Sequence, residues 1–242
     1  METHPKTLRV AAVGDLHYTR HCRGRLESLF SAASAAADVL LLCGDLTDYG
    51  LVEEARLLAD DLRAHLKIPA VSVLGNHDFE AGQSAEITRI LDDVGVHVLD
   101  GETHEIDGVG FAGVPGFGGG FGTHMLSAWG EPIIKAFVQE AVDQALRLEK
   151  ALSRLESPRR VAVLHYAPIV DTVAGEPPEI FPFLGSSRLE GALNRFSVAC
   201  AVHGHAHRGK PFGRTGTGIP VHNVALPLLE KTSSKPFVVI EI

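Results

Sequence analysis

Five short apolar runs, each stopping at a polar cluster, organise the chain. They are LRVAAVGD (8–15), DVLLLCGD (38–45), AVSVLGN (70–76), RVAVLHY (160–166) and VACAVHGH (198–205). Runs this short, rich in Val, Leu and Ala and nearly free of polar alternation, predict strands covered on both faces. Helical spacing fills the gaps between the early runs. Leu26, Leu29 and Phe30 share a face over 24–36, and Leu51, Ala55, Leu58 and Leu62 share one over 51–66. A longer amphipathic stretch, 131–155, opens with Pro132 at a first-turn position. SRLE (187–190) reads as a capping box ahead of GALNRF. Strand and helix in alternation imply βαβ crossovers and a mainly parallel sheet. After about residue 94 the pattern changes: VGVHVLDGETHEIDGVGFAGVPG holds short strands and tight turns, and IPVHNVALPLL and KPFVVIEI read the same way. The expected fold is α/β: a four-layer αββα sandwich of two mixed β-sheets flanked by helices, one domain over 1–242.

Composition adds limits. The 242 residues are 45% hydrophobic and 21% charged, enough for a sizeable core. A formal net charge of −8 argues against unaided binding to a nucleic acid. It leaves room for a small phosphorylated substrate if metal ions make one site locally positive. Cys22, Cys43 and Cys200 make no disulfide framework, and the last two sit in apolar runs as small buried hydrophobes. METHPKTLRV carries no secretion-signal pattern, and no stretch approaches the roughly 18 apolar residues of a membrane span. The expectation is a cytoplasmic protein away from membranes.

The chemistry lies where the runs stop. GDLHY presents Asp15 and His17; GDLTD presents Asp45 and Asp48; GNHD presents Asn76, His77 and Asp78. LHY adds His165, and VHGHAH adds His203, His205 and His207. In α/β sheets, ligand sites form beyond the carboxyl ends of strands, so these groups are expected to meet although they are far apart in sequence. In an extended segment His205 and His207 point the same way. Carboxylate, imidazole and amide-oxygen donors together suit Mn, Fe, Zn or Co. Strand ends merely capped by Asp and Asn would leave several histidines facing one another without a metal, which is unfavourable.

The order D-x-H, G-D-x-x-D, G-N-H-D, H, G-H-x-H, within residues 8–224, resembles that of the calcineurin-like metallophosphoesterases. The resemblance implies a double β-sandwich flanked by helices and two divalent transition-metal ions. By motif, Asp15, His17, Asp45 and His207 would hold one ion, and Asp45, Asn76, His165 and His205 the other, with Asp45 bridging. The implied activity is phosphoester hydrolysis. Two ions about 3.5–4 Å apart can share a hydroxide, the nucleophile, and clamp a phosphoryl oxygen. His77 would lie above the metals as the general acid that protonates the leaving alkoxide. Asp78 could orient His77 and Asp48 could accept a hydrogen bond behind a ligand. Each also fits a helix or turn cap.

Candidates for substrate contact surround this set. Arg20 lies in YTRHCRGR, His203 shares the strand parity of His205 and His207, and Phe117 and Phe121 lie in PGFGGGFGTHMLSAW. That glycine-rich stretch fails both G-x-G-x-x-G and the P-loop pattern, which leaves a mobile lid or a flexible connection. His222 either lines the pocket or packs locally; His4, His21, His65, His97, His104 and His124 read as solvated or locally bonded. GDLTDYG lacks the arginine of the Ser/Thr protein phosphatase pattern, and no G-x-S-x-G elbow is present. A phosphodiester is the favoured substrate class, with a phosphomonoester of a small metabolite as the alternative. A non-catalytic protein-binding scaffold of the same fold is a further alternative, against which stands retention of Asn76, His77, His205 and His207.

Overall fold

A computed structural model describes residues 7–242; His4 and the rest of 1–6 lie outside the described residues. The first half alternates strand and helix: β1 (Arg9–Val13), α1 (Glu27–Ala36), β2 (Val39–Cys43), α2 (Val52–His65) and β3 (Ala70–Val73). The single turn α3 (Asn76–Phe79), α4 (Ser84–Asp92) and β4 (Val96–Val98) follow. Next come β5 (Thr103–Ile106), β6 (Val109–Gly113), the long α5 (Pro132–Arg154) and β7 (Arg159–Val163). The chain ends with α6 (Phe181–Leu184), α7 (Ser187–Asn194), β8 (Cys200–His203), β9 (Phe212–Arg214), β10 (Pro220–Asn223), α8 (Leu226–Thr232) and β11 (Val238–Glu241).

Two mixed sheets result. One has the order β11-β1-β2-β3-β4, parallel except for the antiparallel edge strand β11. The other has the order β5-β6-β7-β8-β10-β9, parallel in the middle and antiparallel at both edges. The lack of polar alternation in the apolar runs now has its cause. In β1, Val10 and Ala12 join the cluster between the sheets, while Ala11 and Val13 join the cluster under the helices. Leu41, Val71 and Val73 meet Phe111, Val161, Val163 and Val202 in the inter-sheet layer. Phe30, Leu58, Leu62 and Ile87 cover the outside of the first sheet, and Leu148, Leu152, Leu189 and Leu193 that of the second. This is the expected αββα sandwich.

Some local expectations fail for physical reasons. The helix over 84–92 has no counterpart in the sequence reading. The cap of α7 is Ser186, whose Oγ accepts from the Arg188 N–H at 3.3 Å; Glu190 accepts instead from the Gly216 N–H at 2.7 Å, so SRLE forms no capping box. The second half of IPVHNVALPLL is helix α8, begun with Pro in its first turn, where a missing N–H loses no helical bond. All three cysteines are free and buried, and burial pushes the Cys200 thiol up to about 12. No helix among the described residues is long and apolar enough to cross a membrane.

Candidate metal centre

Asp15, Asp45 and Asn76 follow β1, β2 and β3; His165 follows β7, and His205 and His207 follow β8. The two sheets thus deliver donors from both sides to one end of the sandwich. Asp15, His17 and His207 form one group of mutually close ligand atoms, and Asp45, His165 and His205 form another. Asp45 lies between them. Its Oδ1 is 3.4 Å from His165 Nε2 and its Oδ2 is 3.9 Å from His17 Nε2. Asn76 Oδ1 is 3.0 Å from His165 Nε2, and His207 Nε2 is 2.8 Å from Asp15 Oδ1.

Close approach here needs glycine. A Cβ on Gly75 would run into the Asp45 carboxylate, and one on Gly204 would run into that of Asp15. The backbone is also bent to the purpose. Of the five described residues other than glycine with positive φ, four are Asp15, His17, Asp45 and His205. Such conformations are sparsely populated by L-residues and gather at functional sites.

The residues fit metal ions. Both imidazole nitrogens of His17 are buried without a hydrogen-bond partner, although Nδ1 lies 3.1 Å from Asp48 Oδ1. Buried orphans of this kind are costly unless something else is bound. His165 Nδ1 donates to the Cys43 carbonyl at 2.9 Å, which leaves Nε2 as its lone-pair nitrogen, aimed at Asn76 Oδ1 and Asp45. Two acceptors converging there suit a cation. His205 Nε2 donates to the Phe183 carbonyl at 3.1 Å, leaving Nδ1 free. Burial pulls His205 down to about 4 and also lowers His165 and His17, so these rings offer lone pairs at neutral pH. Burial, reinforced by the Asp15 carboxylate, pushes Asp45 up to about 6, a repulsion that bound cations would relieve. Burial alone would raise Asp15 too, but the hydrogen bond from His207 and the neighbouring imidazoles hold it below the usual carboxylate range.

His77 sits at the rim, its ring edge-on to His17 with centroids 4.6 Å apart and its side chain 35% exposed. Its Nδ1 is 2.6 Å from the backbone carbonyl of Asp48. Burial lowers its affinity for a proton, but that carbonyl and the Asp45 and Asp48 carboxylates outweigh burial and raise its pKa. Asp78 does not orient this ring. It is buried and accepts from the backbone N–H groups of Leu46, Thr47 and Gly75 and from Thr47 Oγ1. It therefore ties the β2 and β3 ends together, as in the capping reading.

The substrate candidates divide. Arg20 borders a cavity of about 460 Å³ together with Asp48 and Tyr49. Phe117 borders two cavities that reach Asn76. His203 lies elsewhere than on a substrate wall: it is fully buried, with Nε2 2.8 Å from Thr172 Oγ1 and Nδ1 2.8 Å from the Gly204 carbonyl. Phe121 is likewise buried, packed edge-on to Phe181. The glycine-rich segment is no loose loop. The Gly119 N–H donates to the Pro182 carbonyl at 2.6 Å and the Gly120 N–H to the Gly185 carbonyl at 2.9 Å. His222 packs against Phe212 with centroids 5.1 Å apart. Tyr166, next to His165, escaped the sequence reading; its ring lies 4.5 Å from His205, and only its place in LHY hinted at it.

Comparison with known proteins agrees. The calcineurin-like phosphoesterase pattern matches residues 8–209. No curated protein matches the chain. A phosphopantetheinyl hydrolase from Mycobacterium tuberculosis is similar in structure, with a TM-score of 0.69 and 16% identity, over 96% of this chain and 95% of that one. TT1561 of Thermus thermophilus is similar with a TM-score of 0.55 and 16% identity, over 92% and 91%. GAP50, the anchor in the inner membrane complex of Plasmodium, is similar with a TM-score of 0.52 and 9% identity, over 91% and 72%. At these identities the likeness is one of fold. The sandwich, the His and Asp groups gathered at its strand ends and the matched pattern lead to one conclusion: the chain belongs to the calcineurin-like phosphoesterase family.

Proposed function

We propose that the protein is a dinuclear metal-dependent phosphoesterase acting on a small phosphodiester. Asp15, His17, Asp45 and His207 hold one ion; Asp45, Asn76, His165 and His205 hold the other. The observation that carries this reading is Asp45, whose two carboxylate oxygens face imidazoles of the two donor groups, His165 and His17. Bound divalent ions such as Mn, Fe, Zn or Co supply Lewis acidity at a phosphoryl oxygen and acidify water.

The chain's own residues do the rest. With Nδ1 committed to the Asp48 carbonyl, His77 has Nε2 available to hold a proton, and that carbonyl with the Asp45 and Asp48 carboxylates outweighs burial in favour of the protonated ring. As water adds to phosphorus and the P–O ester bond breaks, His77 Nε2 delivers its proton to the departing alkoxide. A diester has two arms, and cavities lie on two sides of the centre. One is bordered by Arg20 and Asp48, the other by Asn76 and His205. Arg20 contacts the polar arm as a bidentate donor.

The test is turnover of bis(4-nitrophenyl) phosphate and of 4-nitrophenyl phosphate by protein stripped and then reloaded with Mn, Fe, Zn or Co. Metal-dependent turnover with higher kcat/KM on the diester is expected. A preference for the monoester would turn the reading to a phosphomonoesterase. Protein that binds no metal and turns over neither ester would be a scaffold.

A further inference from the structure

A chain of rings leads from the centre outward. Tyr166 lies 4.5 Å from His205, Phe117 5.8 Å from Tyr166, Phe137 4.9 Å from Phe117, and Phe183 5.9 Å from Phe137, all between centroids. With Ile180 and Leu184 these rings bound a cavity of about 380 Å³ whose lining includes Asn76 and His205. No Lys, Arg, Asp or Glu lines it. Phe183 is 59% exposed, an apolar ring left in water beside a polar centre. The walls are preset. The backbone bonds from Gly119 to Pro182 and from Gly120 to Gly185 tie the segment bearing Phe117 to the one bearing Phe183.

A second lobe of about 310 Å³ shares Asn76, Phe117 and Tyr166 and is also lined by Gln144, by Glu140 and by Arg147 and Asp100, which pair with each other at 3.1 Å. Gln144 is only 6% exposed, and its Oε1 has no hydrogen-bond partner. Its Nε2 donates to Glu140 at 2.9 Å; a carboxylate only accepts, so the orphan atom is an acceptor.

We propose that this groove binds the second arm of the substrate, and that the arm is an uncharged, mainly apolar chain or ring carrying one N–H or O–H donor for Gln144. The proposal rests on the phosphoesterase reading for the phosphate end alone. In the first lobe an ionised or sugar-like arm would lose hydration against aromatic walls that offer it few partners, and in the second the charged groups are already engaged, Arg147 with Asp100 and Glu140 with Gln144. An apolar arm gains by leaving water, and both lobes fall in the size range of small-molecule sites.

Calorimetric binding of methyl-, butyl-, hexyl- and octylphosphonate to the metal-loaded protein tests this without turnover. Affinity is expected to rise about two- to fourfold per methylene up to hexyl. Phe183→Ala, at an exposed position outside the packed core, should lower the octyl-to-methyl affinity ratio about tenfold. An alkylphosphonate with a secondary amide in its chain should bind more tightly than its all-carbon analogue, and Gln144→Leu should erase that gain. Equal affinities across the series, or a ratio untouched by Phe183→Ala, would overturn the apolar arm. No gain from the amide would overturn the role of Gln144. Flat affinities alongside metal-dependent turnover of the nitrophenyl diester reject the groove alone. Length-dependent affinity without any turnover rejects the hydrolase reading alone.

Discussion

His77 and Asp78 are adjacent, polar and in one motif, yet their surroundings give them different tasks. His77 is partly exposed beside the groups that could hold metal and bonded through Nδ1 to a backbone carbonyl, which is compatible with the proposed acid role. Asp78 is buried under four donors. His77→Ala should keep its metals by elemental analysis and lose about 10²–10⁴ in kcat on alkyl esters. Its loss on nitrophenyl esters, whose leaving group needs no proton, should be much smaller; equal losses across a leaving-group series would remove the acid role. Asp78→Ala leaves those donors unsatisfied, and urea unfolding of the metal-stripped protein should show it less stable by about 2–4 kcal/mol. The sequence made the cluster legible, because Asp, His and Asn at run ends announce themselves by type. It left Asp78 and Asp48 each with two readings, since the group that positions His77 is a backbone carbonyl, which carries no residue signature. The burial of His203 was illegible for a similar reason: parity sets which way a side chain points, while its cover comes from Thr172, remote in sequence.

Strands and helices bring these residues together through glycines at the strand ends. Gly204→Ala would press its Cβ into the Asp15 carboxylate, which follows β1, and into the Cys43 backbone carbonyl at the end of β2, which cannot yield cheaply. The variant should lose metal, as read by elemental analysis after gel filtration. Gly191→Ala is the control: this glycine lies inside α7 with open space around it, and alanine there should stabilise by about 0.5–1 kcal/mol. Metal retained at full occupancy by Gly204→Ala would show that the close packing at Asp15 is dispensable. Legibility at this scale followed run length. Strands buried on both faces and the long helix α5 stood out by pattern. The glycine-rich segment did not, because composition says nothing about cover; its glycines are fastened to 182–187, more than sixty residues away in the chain. The helix α8 was hidden inside an apolar run too short for periodicity to separate helix from strand.

At the scale of the molecule the donor set joins two sheets. Asp15, Asp45 and Asn76 come from the first, and His165, His205 and His207 from the second, so bound ions would clamp the sandwich at one end. That the donors meet at one end was legible, because parallel strands share a carboxyl end. The aromatic groove was not, since Phe137 and Phe183 belong to elements that carry no motif. A clamp has a thermodynamic signature. Ions that bind the folded chain alone stabilise it by about 2.7 kcal/mol per site at a hundredfold excess over Kd. Thermal unfolding should therefore move up as metal is added to stripped protein and return on chelation. Asp45 faces donors of both groups, so Asp45→Asn should abolish the whole gain rather than half of it. His207→Ala removes a donor from the Asp15 group alone and should forfeit only that group's share. If Asp45→Asn kept half of the metal-induced shift, the carboxylate would serve a single ion and the two groups would be independent sites. If it kept all of it, the ions would bind elsewhere on the molecule.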